Sequence, residues 1–203
     1  MINFPELVCD RDIFDIRRRE CESIIDTQSR LPDFVFRRAF DSYFVIEHTL
    51  LHWKEFGDFL YKLSSLYGDA LVNYMTVDPD PVDYYYREFS VFGLASFQPS
   101  TLTERYNPVM SLGGDAESVE SFLAGGDIGV FWGSSQKWGI FCDRVSWEIA
   151  VIAVSGNVDV PAISGFRCMD ASALSEYMDA QYRRLDPAIA ERFMQTFSRN
   201  YTL

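Results

Sequence analysis

Residues 130–154, VFWGSSQKWGIFCDRVSWEIAVIAV, constrain the fold more than any other part of this chain. Val130, Phe131 and Trp132 are apolar, and Gly133-Ser134-Ser135-Gln136 supplies turn chemistry. Residues 137–143 then alternate. Trp138, Ile140 and Cys142 fall on one face of a strand, with Lys137, Gly139, Phe141 and Asp143 on the other. A second polar break, Asp143-Arg144-Val145-Ser146, leads into residues 147–154, where Glu148 alone interrupts an apolar run rich in β-branched residues. Three short strands with tight connections make an antiparallel meander. The third is apolar on both faces, so it should be central and covered by helices. Arg144 and Glu148 are placed to pair across the second turn and fix its register.

The flanking regions predict those helices. Residues 10–30 carry Ile13, Phe14, Ile16, Ile24 and Ile25 among dense charges. There Arg17, Arg18 and Arg19 sit between Asp12, Asp15, Glu20 and Glu22, as on a salt-laced helix face with Asp15 reaching Arg18 and Arg19. Asp33 is a candidate N-cap. Phe36, Phe40 and Phe44 follow at helical spacing, and residues 45–67 continue as a helix whose stripe of Leu51, Phe56, Phe59, Leu60, Leu63 and Tyr67 ends at Gly68. Residues 70–77 read as a strand that stops at Asp78-Pro79-Asp80-Pro81. Residues 99–115 read as loop, and Asp115 can cap a short helix over 116–123. Val158-Asp159-Val160-Pro161 suggests a short edge strand. Residues 173–184 and 187–200 read as two helices, the first capped by Asp170 or Ser172 and the second opened by Asp186-Pro187. The whole is an α+β fold: one domain over residues 1–203, mainly helical to 68, sheet-containing over 69–161, and helical again from 162.

Charge gives the clearest functional signal. Lys and Arg number 18 against 30 Asp and Glu, a formal net charge of −12. Residues 69–127 hold ten acids but only Arg87 and Arg105, which puts two thirds of the excess in under a third of the chain. Such a field repels nucleic acid and anionic membrane and attracts basic proteins. Asp78, Asp80, Asp83 and Glu88 are interleaved with Tyr84, Tyr85 and Tyr86, and acids among tyrosines suit a protein-binding surface. A strand edge with its tyrosine hydroxyls in water is the other reading of the same residues. Asp115, Glu117 and Glu120 are the next acidic group.

Motifs for chemistry are absent from the sequence. There is no Walker A, GxGxxG or GxSxG, and Gly125-Gly126-Asp127-Ile128-Gly129 precedes a strand rather than following one, so it reads as a hairpin entry and not as a phosphate cradle. His48 and His52 are spaced i, i+4, with Glu55 one turn on, as metal ligands can be. Thr49 stands where the HExxH motif has its glutamate, and no second His or Cys pair completes a set. No metal or cofactor is expected. Cys9, Cys21, Cys142 and Cys168 have no CxxC spacing, and Met1-Ile2-Asn3-Phe4-Pro5-Glu6 lacks a signal-peptide pattern, so free thiols in the cytoplasm are expected. The longest apolar run, residues 149–154, is far short of the ~20 residues of a membrane span.

Trp138-Gly139-Ile140-Phe141-Cys142-Asp143-Arg144, followed by Trp147-Glu148-Ile149-Ala150-Val151, resembles a tryptophan-strand pattern of small acidic bacterial immunity proteins, which neutralise polymorphic or contact-dependent toxins. The resemblance covers about 20 of the 203 residues. It implies an antiparallel sheet flanked by helices and a non-enzymatic inhibitor of a basic toxin, often a nuclease. Under it the partner-binding surface is Asp78, Asp80, Asp83, Tyr84, Tyr85, Tyr86 and Glu88, with Asp115, Glu117 and Glu120 next. Two other readings fit the same sequence. One is an enzyme using carboxylates in a helix–sheet crevice, and the other is a subunit of a homo-oligomer whose aromatic excess is interface.

Overall fold

A computed structural model describes residues 4–113, 121–122, 125–182 and 186–202 of the chain. Its centre is a six-stranded antiparallel sheet in the order β1-β6-β5-β4-β2-β3, formed by β1 (Ser42–Glu47), β2 (Val72–Asp78), β3 (Leu94–Phe97), β4 (Ile128–Gly133), β5 (Trp138–Asp143) and β6 (Ile149–Val154). The meander expected from residues 130–154 is β4-β5-β6, paired Phe131 to Ile140 and Ile140 to Ile152. β6 lies inside the sheet between β5 and β1. Its side chains divide as its composition requires. Ile149, Val151 and Ala153 enter one core, and Ala150, Ile152 and Val154 the other.

Among the described residues seven helices cover the two faces: α1 (Arg11–Ile24), α2 (Lys54–Tyr67), α3 (Asp83–Phe89), α4 (Leu102–Met110), α5 (Val160–Ser164), α6 (Ala171–Tyr182) and α7 (Pro187–Asn200). α1, α6 and α7 pack on the face that holds Val130, Trp132 and Phe141, through Phe14, Leu174 and Phe197 among others. α2, α4 and α5 pack on the opposite face with Phe131, Trp138 and Ile140. The fold is α+β, with the sheet enclosed on both sides. Neither edge is left bare. Residues 6–8 run along β3, where Val8 N–H donates to Leu94 O at 3.0 Å, and Met169 N–H donates to Val45 O on β1 at 2.8 Å. No helix among the described residues is long and apolar enough to cross a membrane.

Three sequence expectations are corrected. Residues 34–52 are not helical: they form an irregular segment, strand β1 and a 3-10 turn (His48–His52). The aromatic spacing misleads because Phe36 and Phe40 belong to one core while Phe44 packs against the other, which a strand permits and a single helix face does not. Residues 102–110, read as loop because of Asn107-Pro108, are helix α4. Pro108 sits near its C-terminal end, and Leu102, Tyr106 and Val109 bury one face against α2. That approach is close: a Cβ at Gly57 would lie 2.9 Å from Tyr106 Cβ and 3.0 Å from Leu102 O. The expected edge strand at 158–161 is the start of α5, because Asp159 accepts from Ala162 N–H at 3.1 Å and Pro161 occupies the first turn, where its missing N–H costs nothing. The α7 boundaries agree with the sequence reading, with Asp186 accepting from Ala188 N–H at 2.9 Å.

Candidate functional site

The acidic, tyrosine-bearing stretch is divided by its fold. Residues 83–89 form α3 rather than a strand edge, and a helix sends three consecutive tyrosines in three directions. Tyr85 points inward: it is fully buried, and its hydroxyl donates to Phe122 O at 3.0 Å. It therefore forms no part of an exposed surface. Tyr86 is 53% exposed, and Tyr84 is half-buried beneath the Arg87 guanidinium, 6.0 Å from its ring centroid. Asp80 caps the start of α3 by accepting from Val82 and Asp83 N–H at 2.8 and 2.9 Å. Asp78 lies 3.8 Å from Arg30. Asp83 is exposed, in a shallow concavity of 440 Å³ that also holds Tyr86, Arg11 and Arg87. The structure thus brings Asp83 and Tyr86 together with two guanidinium groups, and turns Asp78 and Asp80 toward local partners. Asp115, Glu117 and Glu120 lie outside the described residues, as does the side chain of Glu88.

The buried polar groups each have a structural task. Glu6, 7% exposed, holds Arg105 in a two-point pair at 2.8 and 2.9 Å, and that hydrogen bonding lowers its pKa. Asp69 accepts from Trp138 Nε1 at 2.7 Å and from Ser135 N–H at 2.5 Å, tying the start of β2 to the β4–β5 turn. Asp143 is wholly buried. Its Oδ1 accepts from Ser146 and Trp147 N–H at 2.8 and 3.2 Å, its Oδ2 has no partner among the described residues, and burial raises its pKa against the opposing effect of those two bonds. Arg144 does not pair with Glu148 as expected. It reaches Asp127 at 2.6 Å and Gly126 O at 3.1 Å instead, because Glu148, with φ at 54°, directs its carboxylate toward Gln181, 3.5 Å away. On α1 the arginine run is matched as a salt-laced face, though with different partners: Arg17 with Glu20, Arg18 with Glu22, and Asp15 with Arg11.

His48 and His52 stand on the 3-10 turn with ring centroids 5.6 Å apart. His48 is only 5% exposed. Burial first, then the neighbouring His52 and Arg144 charges, lowers its pKa to about 4. Burial and Arg144 also lower that of His52. His48 is therefore neutral at pH 7. Among the described residues no group of three His, Cys, Asp or Glu side chains is placed to hold a metal ion. All four cysteines are free thiols.

One open cleft was not foreseen from the sequence. It is a cleft of 520 Å³ bounded by the end of β1, the 3-10 turn, the segment after α5 and the first half of α6. Trp53, 54% exposed, stands on one wall, and Tyr177 on another. Phe166 anchors it to the core by stacking on Phe56, 6.1 Å away at 13°. Glu47, Arg167 and Glu176 are exposed on its walls, and none of the three makes an ion pair among the described residues. The Tyr177 hydroxyl donates to Glu148 O at 3.2 Å. Its pKa is raised by burial and by the nearby Glu148 and Glu47 carboxylates, against a hydrogen bond from Gln181. The only signal available in the sequence was a tryptophan just outside the apolar stripe of a helix. Glu47 and Glu176 are too far apart in the chain for spacing to join them.

Comparison of the chain with protein-family models, with curated proteins and with solved structures returns no match.

Proposed function

We propose that this protein is a non-enzymatic binding protein of the immunity type, which neutralises a basic toxin domain in the bacterial cytoplasm. The observation that carries the reading is the charge: −12 overall, with ten acids against two bases over residues 69–127. A field of that sign steers a basic partner and speeds encounter, while nucleic acid and anionic lipid are repelled. The polar interior supports binding over catalysis. Asp69 and Asp143 are engaged in fixing turns, and Asp143, whose raised pKa would suit an acid catalyst, is sealed from solvent. Tyr86 and Trp53 are exposed aromatics of the kind that interface centres favour, and Asp83 beside the one and Glu47 beside the other suit a charged rim.

Co-expression tests this. The tagged protein is produced together with the C-terminal domain of a large secreted protein encoded beside it, and the complex is purified at low and at high salt. A stoichiometric, salt-sensitive complex and rescue of cells from that domain are expected. Recovery of the two chains separately at both salts, with no rescue, would overturn the reading.

A further inference from the structure

We infer that the 520 Å³ cleft beside Trp53 is an arginine-binding site, and that it receives an arginine side chain of the partner. The inference rests on the basic-partner reading for the source of that arginine, but the recognition chemistry stands on the cleft alone. Its volume lies in the range, about 300–1,000 Å³, of sites that enclose most of a small ligand. One wall is the Trp53 indole, left half open to solvent although the protein's other large aromatic rings are mostly withdrawn into the two cores. An indole face attracts a cation, and a guanidinium also stacks on it as a flat, weakly hydrated plate. Glu47 and Glu176 supply two carboxylates with no paired cation among the described residues. Either can accept a two-point hydrogen bond from a guanidinium, which a lysine ammonium cannot match.

Arg167 is the group that opposes the reading, and it makes the reading testable. Two carboxylates against one guanidinium leave the cleft negative, yet Arg167 should weaken a bound cation rather than help it. A ligand with its own carboxylate would show the reverse dependence. Substitution of Arg167 therefore distinguishes an arginine side chain from a zwitterion such as a free amino acid.

The probe is acetyl-arginine amide, which carries the side-chain charge and no charged terminus. It is titrated into the intact protein while the indole N–H signals are followed by ¹H–¹⁵N correlation, with the Trp53 signal assigned from Trp53→Phe. A saturable shift at Trp53 is expected, with none from acetyl-norleucine amide. The double variant Glu47→Gln, Glu176→Gln should weaken binding about tenfold. Arg167→Gln should strengthen it. These side chains are exposed, so an unchanged amide spectrum elsewhere confirms that each variant is folded. The absence of a saturable shift, an equal response to the norleucine amide, or loss of binding in Arg167→Gln would overturn the proposal. The two readings fail separately. If acetyl-arginine amide binds but no toxin domain co-purifies, the cleft stands and the immunity reading falls. If a toxin domain binds while the arginine amide does not, the cleft falls alone.

Discussion

Asp69 and Trp138 hold each other in the interior, the indole N–H donating to Asp69 Oδ2 at 2.7 Å across 69 positions of sequence. The same carboxylate accepts from Ser135 N–H, so one side chain fixes both the entry to β2 and the turn between β4 and β5. Gly133 is required beside it: a Cβ there would lie 2.3 Å from Asp69 Oδ2 and 2.5 Å from Trp138 Nε1. Asp69→Asn must present an amide N–H to one of two donors, and should cost about 1–3 kcal/mol. Gly133→Ala forces the pair apart and should cost a similar amount, about 1–3 kcal/mol. Urea denaturation followed by fluorescence measures both. Midpoints for the two variants indistinguishable from the parent protein would show that this pair does not organise the turn.

His48 is held neutral, its pKa lowered from 6.5 to about 4, while in the unfolded chain it titrates near the ordinary value. Between those pH values the unfolded state binds the extra proton, so the stability that neutral His48 permits is fully present above pH 6.5 and is lost as pH falls toward 4. The full loss is about 3 kcal/mol by linkage. Asp143 contributes with the opposite sign, since its raised pKa favours the folded state more as pH falls. The difference between the parent and His48→Gln isolates the histidine. Stability curves for the two that run parallel from neutral pH to pH 4 would place His48 in water rather than in the core.

How much of this was legible in the sequence depends on the range of the interaction. The β4-β5-β6 meander could be read because each strand shows its pattern within six residues and its partner comes next in the chain. The caps of α6 and α7 could be read because Asp170 and Asp186 act on N–H groups two or three residues away. β1 could not, since it pairs with β6 more than a hundred residues later, and its two faces divide between cores that no local periodicity distinguishes. The acidic excess was visible as composition, but not the turning of Asp78 toward Arg30 or of Tyr85 into the core. The Trp53 cleft was invisible for the same reason: its walls come from two distant segments.

Tyr85 and Tyr86 are neighbours that should behave oppositely. Tyr85→Phe removes a hydroxyl whose bond to Phe122 O is buried, and should cost about 1 kcal/mol, with Tyr85→Ala costing about 3–5 kcal/mol through the cavity it leaves. Tyr86 is half exposed and touches Phe92 with ring centroids 5.4 Å apart, so Tyr86→Ala should change stability by under about 1 kcal/mol. Any larger effect of Tyr86→Ala belongs in partner affinity. Thermal unfolding of the three variants separates them, and a strongly destabilised Tyr86→Ala would contradict the orientation of α3.

The last prediction tests whether α3 lies within the encounter surface. Asp83 is the informative position, because Asp80 caps the helix and its replacement would confound binding with stability. Asp83→Lys adds two positive charges to a concavity that already holds Arg11 and Arg87, making the local field more positive. With a basic toxin domain as partner, association at low salt should slow between about two- and tenfold, with dissociation little changed. At about 1 M salt the Debye length shrinks to about 3 Å and the two proteins should associate at the same rate. Stopped-flow mixing over a salt series measures this. An on-rate for Asp83→Lys equal to the parent at low salt would remove α3 from the interface and leave the Trp53 cleft, on another part of the surface, as the place to look for the partner.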